Sequence, residues 1–248
     1  MSGTTMTADL TPRQRRLVLA TVALSLMAVV SAVAGLNVAL PSLAVDTGAS
    51  QTQLTWIVDS YTVVFAGLLL IAGALGDRYG RKLLLIVGLV IFGGAAALGV
   101  FVNDPDQLIV VRMIMGVGAA AIMPTTLSVI TTSFPEEERG RAIGVWVGIA
   151  GGGAIIGLLV TALLLEWFTW SSFFGLNVAF ATVGLIGAIT VVPQSVDADP
   201  PALDVVGAAL SFVAITAFVF GIIEGPEQGW TDPLTLGPII LGIVTGIA

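Results

Sequence analysis

Cysteine and histidine are both absent from the 248 residues, and lysine occurs once, at Lys82. Without cysteine there are no disulfides and no thiolate-bound metals, and the redox compartment cannot be read. Without histidine the side chain that changes charge near neutral pH is missing, so any step that handles a proton falls to aspartate or glutamate. Charge of either sign is scarce, at 10% of residues against about a quarter in a soluble domain. With a net charge of −7, nucleic-acid binding has no support. There is no nucleophile paired with a base, no cluster of metal ligands and no phosphate loop, so no enzyme, metal or cofactor is expected.

What is present is apolar: 56% of residues are hydrophobic and the mean hydropathy is +1.04. A hydrocarbon core of about 30 Å needs roughly 20 apolar residues per helical span. Seven such runs and a shorter eighth lie near 17–40, 54–75, 82–102, 108–132, 141–165, 173–193, 204–223 and 235–248. The runs are continuously apolar, whereas barrel strands alternate polar and apolar residues, so the expectation is an all-α integral membrane protein. The first run follows Arg13, Arg15 and Arg16 but exceeds the roughly 7 to 15 apolar residues of a secretory signal, and reads as a retained span.

The cations sort by side. A cytoplasmic N-terminus places Arg13, Arg15, Arg16, Arg78, Arg81, Lys82, Arg139 and Arg141 on cytoplasmic segments and leaves the external loops with none. Those external loops are expected to carry Asp46, Asp104, Asp106, Glu166, Glu224, Glu227 and Asp232. The expected location is the cell membrane, with the lipid bilayer as solvent.

Between the second and third runs, residues 73–82 read Gly-Ala-Leu-Gly-Asp-Arg-Tyr-Gly-Arg-Lys. Glycines at 76 and 80 allow a tight turn, and Asp77 is placed to hold Arg81 or to meet a helix N-terminus. This segment resembles the G-x-x-x-D-R-x-G-R-K loop of major facilitator superfamily transporters. The resemblance implies a conformational latch formed by Gly73, Asp77, Arg78, Gly80, Arg81 and Lys82.

It continues in the fourth run, where Leu108 to Gly118 follows l-x-x-x-R-x-x-q-G-x-G with Met115 in place of glutamine. Arginine inside a span costs about 2.5 to 3.5 kcal/mol even on lenient insertion scales, so Arg112 either faces a cavity or partner or snorkels to the interface. Asp59, in Trp56-Ile57-Val58-Asp59-Ser60-Tyr61, lies at nearly the same depth and could pair with it. The first run ends Asn37-Val38-Ala39-Leu40-Pro41, similar to the fourteen-span drug/proton antiporter branch, but Ala32 stands where that branch carries an acid.

In the fifth run Gly144, Gly153 and Gly157 fit the antiporter signature, while Leu158, Thr161 and Ala162 depart from its proline and final glycines. Close helix packing without an antiporter kink is the alternative. Trp167, Trp170 and Trp230 read as interfacial anchors.

The organisation expected is a cytoplasmic segment 1–16, a six-span bundle 17–193, a proline-rich linker 194–203, and an extra span with the start of another over 204–248. The last run is too short to cross without tilt or thinning, so the chain is expected to be a fragment or truncated product. The resemblance implies proton-coupled export of hydrophobic or cationic compounds, with Asp59, Arg112 and Asn37 at the substrate and proton site. A C-terminal half or a second copy would be needed for transport. A uniporter or nutrient importer of the same fold, and a non-transporting half-protein serving as a membrane interaction module, remain open.

Overall fold

The computed structural model describes residues 10–196 and 205–247, so most of the expected linker and the first nine residues lie outside the described part. Eight helices follow one another: α1 (Pro12–Thr47), α2 (Gln51–Tyr79), α3 (Arg81–Gly99), α4 (Pro105–Ser133), α5 (Glu136–Leu165), α6 (Ser172–Thr190), α7 (Val205–Gln228) and α8 (Pro233–Ile247). The first seven are long and apolar enough to cross a membrane, and α8 is shorter. The chain is an all-α, multi-pass membrane protein.

The helices outrun the apolar runs because their caps are polar. Thr11 and Gln14 form a capping box ahead of Pro12, and Ser50 and Gln53 form another at the start of α2. Asp104 caps α4 ahead of Pro105, and three glutamates fill the first turn of α5, where the helix dipole favours negative charge. At 36 residues, α1 is about 54 Å long, well beyond the hydrocarbon core. The same extension corrects the seventh span: α7 continues to Gln228, so Glu224 lies inside a helix and not on an external loop.

Apart from α3 with α4 and α7 with α8, helices adjacent in sequence touch little. Instead α2 packs along α4, α1 along α5, and α3 against α4 and α6, while α7 pairs with α8 and leans on α2. In lipid no hydrophobic force draws helices together, so close van der Waals approach at small residues takes its place. A Cβ on Gly118 would lie 2.6 Å from the Phe92 nitrogen, and one on Gly116 would lie 2.7 Å from the Tyr61 carbonyl oxygen. Gly242 meets the Ala214 carbonyl at 2.7 Å in the same sense, locking α8 to α7.

Several buried hydroxyls turn back on their own helices, whereas Ser60 donates across to the Ile109 carbonyl of α4 and the Ser133, Thr161 and Thr235 oxygens have no partner. Ser25 donates to the Thr21 carbonyl at 2.8 Å, and beside Pro124 Thr125 donates to Ala121 and Thr126 to Met123, both at 2.6 Å. Arg15 of α1 bridges Glu138 of α5 at 2.7 Å, so the N-termini of α1 and α5 share one end of the bundle. Of the three expected anchors, Trp167 and Trp230 are exposed, but Trp170 is buried edge-on against Phe174. The short turn after α5 folds it back over α6.

Candidate functional site

Asp59 lies on α2, and Arg112 reaches the α2 backbone beside it from α4. Arg112 is fully buried and does not snorkel. Its Nε donates to the Ile57 carbonyl at 2.9 Å and its Nη2 to the Val58 carbonyl at 3.4 Å. The guanidinium also lies over the ring of Tyr61, 4.3 Å from the centroid. Nη1 has no hydrogen-bond partner.

No ion pair joins Arg112 to Asp59, although the sequence allowed one; the ion pairs among the described residues are Arg15–Glu138 and Asp77–Arg81. Backbone carbonyls and an aromatic face take the charge of Arg112 in place of the carboxylate.

Asp59 is half-buried and opens on a cavity of about 410 Å³ between α1 and α2. Asn37, Leu40, Pro41, Leu54 and Val58 line it with Asp59. Asn37 is exposed and donates its amide to the Val33 carbonyl at 3.1 Å. With Ala44, Gln51 and Thr55 also on its wall, the site combines one carboxylate, two amides and a hydroxyl with apolar side chains, which suits a cation with a hydrophobic body. A larger hollow of about 620 Å³ lies beside Trp167 and Phe168 and contains neither Asp59 nor Arg112. Ala32, where an acid was expected, is fully buried in the core.

The segment read as a loop is mostly helical: Gly73 to Tyr79 finish α2, Arg81 begins α3, and Gly80 alone turns the chain between them. Asp77 holds Arg81 at 3.0 Å, and Gly80 takes φ of 107°, where side chains are disfavoured. The Arg81 amide donates to the Ser195 carbonyl at 3.0 Å and the Lys82 Nζ to the Ile189 carbonyl at 2.8 Å. These contacts tie the loop to the end of α6. Arg78 reaches over Tyr79, with 5.9 Å between its guanidinium and the ring centroid. Gly73 passes Pro124 of α4 at ordinary contact distance.

Of the antiporter-like glycines, two are brought against α1 and one is not. A Cβ on Gly153 would lie 2.9 Å from Val30, and one on Gly157 would lie 2.6 Å from the Ser31 Cα. Gly144 has nothing within 4 Å. Thr161, where glycine was expected, is accommodated by Gly35: a Cβ there would lie 2.6 Å from the threonine oxygen.

Sequence reasoning assigned no role to Tyr61, Trp56 or Glu224. Tyr61 is fully buried and donates its hydroxyl to the Val29 carbonyl at 3.0 Å. Trp56 donates its indole to Glu224 at 2.9 Å and packs against Phe220, anchoring α7 to α2. The one available signal was two aromatics within three residues of an intramembrane acid.

A bundle of apolar helices, with a carboxylate in no ion pair opening on a cavity between α1 and α2 and a charged segment clamped at the opposite end of α2, fits a membrane transport protein and not an enzyme. The chain belongs to the Major Facilitator Superfamily, whose family model matches residues 22–248. It is 38% identical to the puromycin resistance protein pur8 of Streptomyces alboniger, covering 86% of this chain and 42% of that protein. It is 37% identical to the methyl viologen resistance protein SmvA of Salmonella typhimurium, over 84% of this chain and 43% of the relative. The chain thus spans less than half the length of these relatives.

Among solved structures, a POT peptide transporter in complex with sulfate aligns with a TM-score of 0.68 at 17% identity, covering 93% of this chain and 51% of its own. The human organic anion transporter MFSD10 aligns with a TM-score of 0.60 at 13% identity, covering 96% of this chain and 72% of its own. These structures share the fold.

Proposed function

We propose that this chain supplies the N-terminal half of a proton-coupled exporter of hydrophobic, cationic compounds in the cell membrane, with its N-terminus in the cytoplasm. The observation that carries the reading is Asp59, a carboxylate in no ion pair among the described residues, on an open, largely apolar cavity between α1 and α2. A lipophilic cation entering a low-dielectric site needs such a counter-charge. One relative at 37% identity is a resistance protein for methyl viologen, itself a dication.

In this reading Asn37 and Asp59 contact substrate and Arg112 modulates the carboxylate. The loop of Gly73, Asp77, Arg78, Gly80, Arg81 and Lys82 latches the closed state. Gly153 and Gly157 set the packing of α5 on α1, and Gly144, which meets nothing within 4 Å, takes no part in it. Alternating access rocks one half against another around a midplane site, so a C-terminal half or a second copy completes the transporter. Inward movement of one proton across 100 mV offers about 2.3 kcal/mol to drive export. Residues 17–193 are the six-span unit, 194–203 its linker, and 204–248 the extra helices.

Asp59→Asn removes the charge and keeps the shape. In lipid nanodiscs, binding of radiolabelled methyl viologen to this variant is expected to weaken by about 10- to 100-fold, the worth of one charge-assisted contact of roughly 1.5 to 3 kcal/mol. Binding of an uncharged biphenyl of similar size should change little. Equal affinity of parent and variant for the dication sinks the assignment.

Orientation has its own test, which the absence of native cysteine makes clean. Cysteines placed at the exposed positions Asn103 and Glu166 should react with an impermeant thiol reagent in intact cells, and one at Glu137 should not. Labelling at Glu137 would reverse the orientation.

A further inference from the structure

We propose that Tyr61 is a positioning residue that withholds Arg112 from Asp59, and thereby keeps the carboxylate free for a substrate cation. The inference rests on the reading of Asp59 as the cation site. Its starting point is a geometric puzzle: a fully buried guanidinium ends on the carbonyl of Val58, the residue next to Asp59, yet makes no ion pair with that acid. In a membrane interior an arginine and a carboxylate so placed attract strongly, so something competes for the arginine.

The competitor is visible. The Tyr61 ring lies beneath the guanidinium at 4.3 Å, and the Ile57 carbonyl fixes Nε at 2.9 Å. A cation over an aromatic face gains most when both are desolvated, and both residues are fully buried. The ring cannot swing aside, because its hydroxyl is bonded to the Val29 carbonyl on α1 and Phe65 stacks one turn along α2. On the other side α4 lies directly on α2: Gly116 rests against the Tyr61 carbonyl so closely that a Cβ there would sit 2.7 Å from it.

Tyr61 thus joins α1, α2 and α4 into one seat for the arginine. The unpartnered Nη1 is the atom that would turn to Asp59 if the seat were lost. Arg112 in the seat leaves the Asp59 carboxyl without an ion pair; Arg112 out of it would pair with Asp59 and close the cation site.

Double-mutant analysis tests this with the 248-residue chain in nanodiscs and methyl viologen as probe. Tyr61→Leu is expected to weaken binding by about 30-fold, the factor that a desolvated cation–π contact of about 2 kcal/mol represents. Tyr61→Phe keeps the ring and should bind within about threefold of the parent, since it gives up one neutral hydrogen bond. The decisive arm is Tyr61→Leu with Arg112→Gln: removing the arginine should restore most of the binding that Tyr61→Leu lost. A purely structural role for Tyr61 predicts no recovery, and that result overturns the proposal.

Failure of Asp59→Asn to weaken binding would refute the cation site itself, an outcome separate from failure of the rescue. Should Tyr61→Leu not fold, the arginine side-chain spectrum decides in the parent and in Tyr61→Phe. One Nε–H signal assigned to Arg112 should carry a ring-current shift in both. An unshifted Arg112 signal overturns the proposal.

Discussion

Gly157→Leu should break the contact between α1 and α5. In the native packing the α5 backbone at Gly157 lies directly on α1, where an added Cβ would sit 2.6 Å from the Ser31 Cα. The obstacle is backbone, not the end of a flexible side chain, so the only relief is to push two long helices apart. Gly153 and the Gly35–Thr161 contact continue the same seam, so the displacement spreads along it. Ser31 would also lose its bond to the buried Asn177, now 3.2 Å.

The expected cost is at least about 3 kcal/mol, the top of the usual range for overpacking. That lowers the thermal midpoint in detergent by about 6 to 12 °C for a chain of this size. Gly148→Leu, on the same helix where an added Cβ meets nothing within 4 Å, is the control and should shift the midpoint little. Equal midpoints for the two variants would show that α5 does not pack on α1 through this seam.

Why one glycine of α5 is structural and another open was not legible in the sequence. In a soluble helix the apolar stripe marks the buried face. Here α5 is apolar all round, because lipid accepts leucine as readily as the protein core does. Facing direction is therefore absent from the pattern, and the spacing of Gly144, Gly153 and Gly157 could not show that only the last two meet α1.

Charge carries the information that hydropathy lacks. The ordered turn from Gly73 to Lys82 and the lone Arg112 stood out for that reason, since each charged group in a span must find a partner or a cavity. The choice of partner was not readable. Backbone carbonyls leave no mark in a sequence, so Ile57 and Val58 could not be anticipated as acceptors for Arg112, nor Ser195 for the Arg81 amide. Glu224 misled for a related reason. A glutamate near the end of an apolar run resembles a loop residue until its hydrogen bond to Trp56, 168 positions earlier, brings it inside.

Gly80→Leu should release the segment that leaves α6. At φ of 107° and ψ of 132° the backbone at Gly80 is in a region that leucine adopts only at a cost of about 1 to 3 kcal/mol. An added Cβ would also sit 2.9 Å from the Gln194 Nε2 and 3.3 Å from the Val196 Cγ2, so relief requires residues 194–196 to move away. Their movement breaks the bond from the Arg81 amide to the Ser195 carbonyl, and Lys82 loses the fixed geometry in which it caps the Ile189 carbonyl. In inverted vesicles, proteinase K should then cut near residue 195 at least about tenfold faster than in the parent, since each 1.4 kcal/mol of local opening is a factor of ten. Asp77→Asn separates two roles of the same loop. It removes the ion pair to Arg81 and leaves the backbone of Gly80 intact, so it should spare the clamp on residue 195 while weakening any latch that needs the carboxylate. If Gly80→Leu cuts no faster than the parent, the loop does not hold that segment. If both variants also support normal efflux in a complete transporter, the Gly73–Lys82 turn contributes topogenic charge alone.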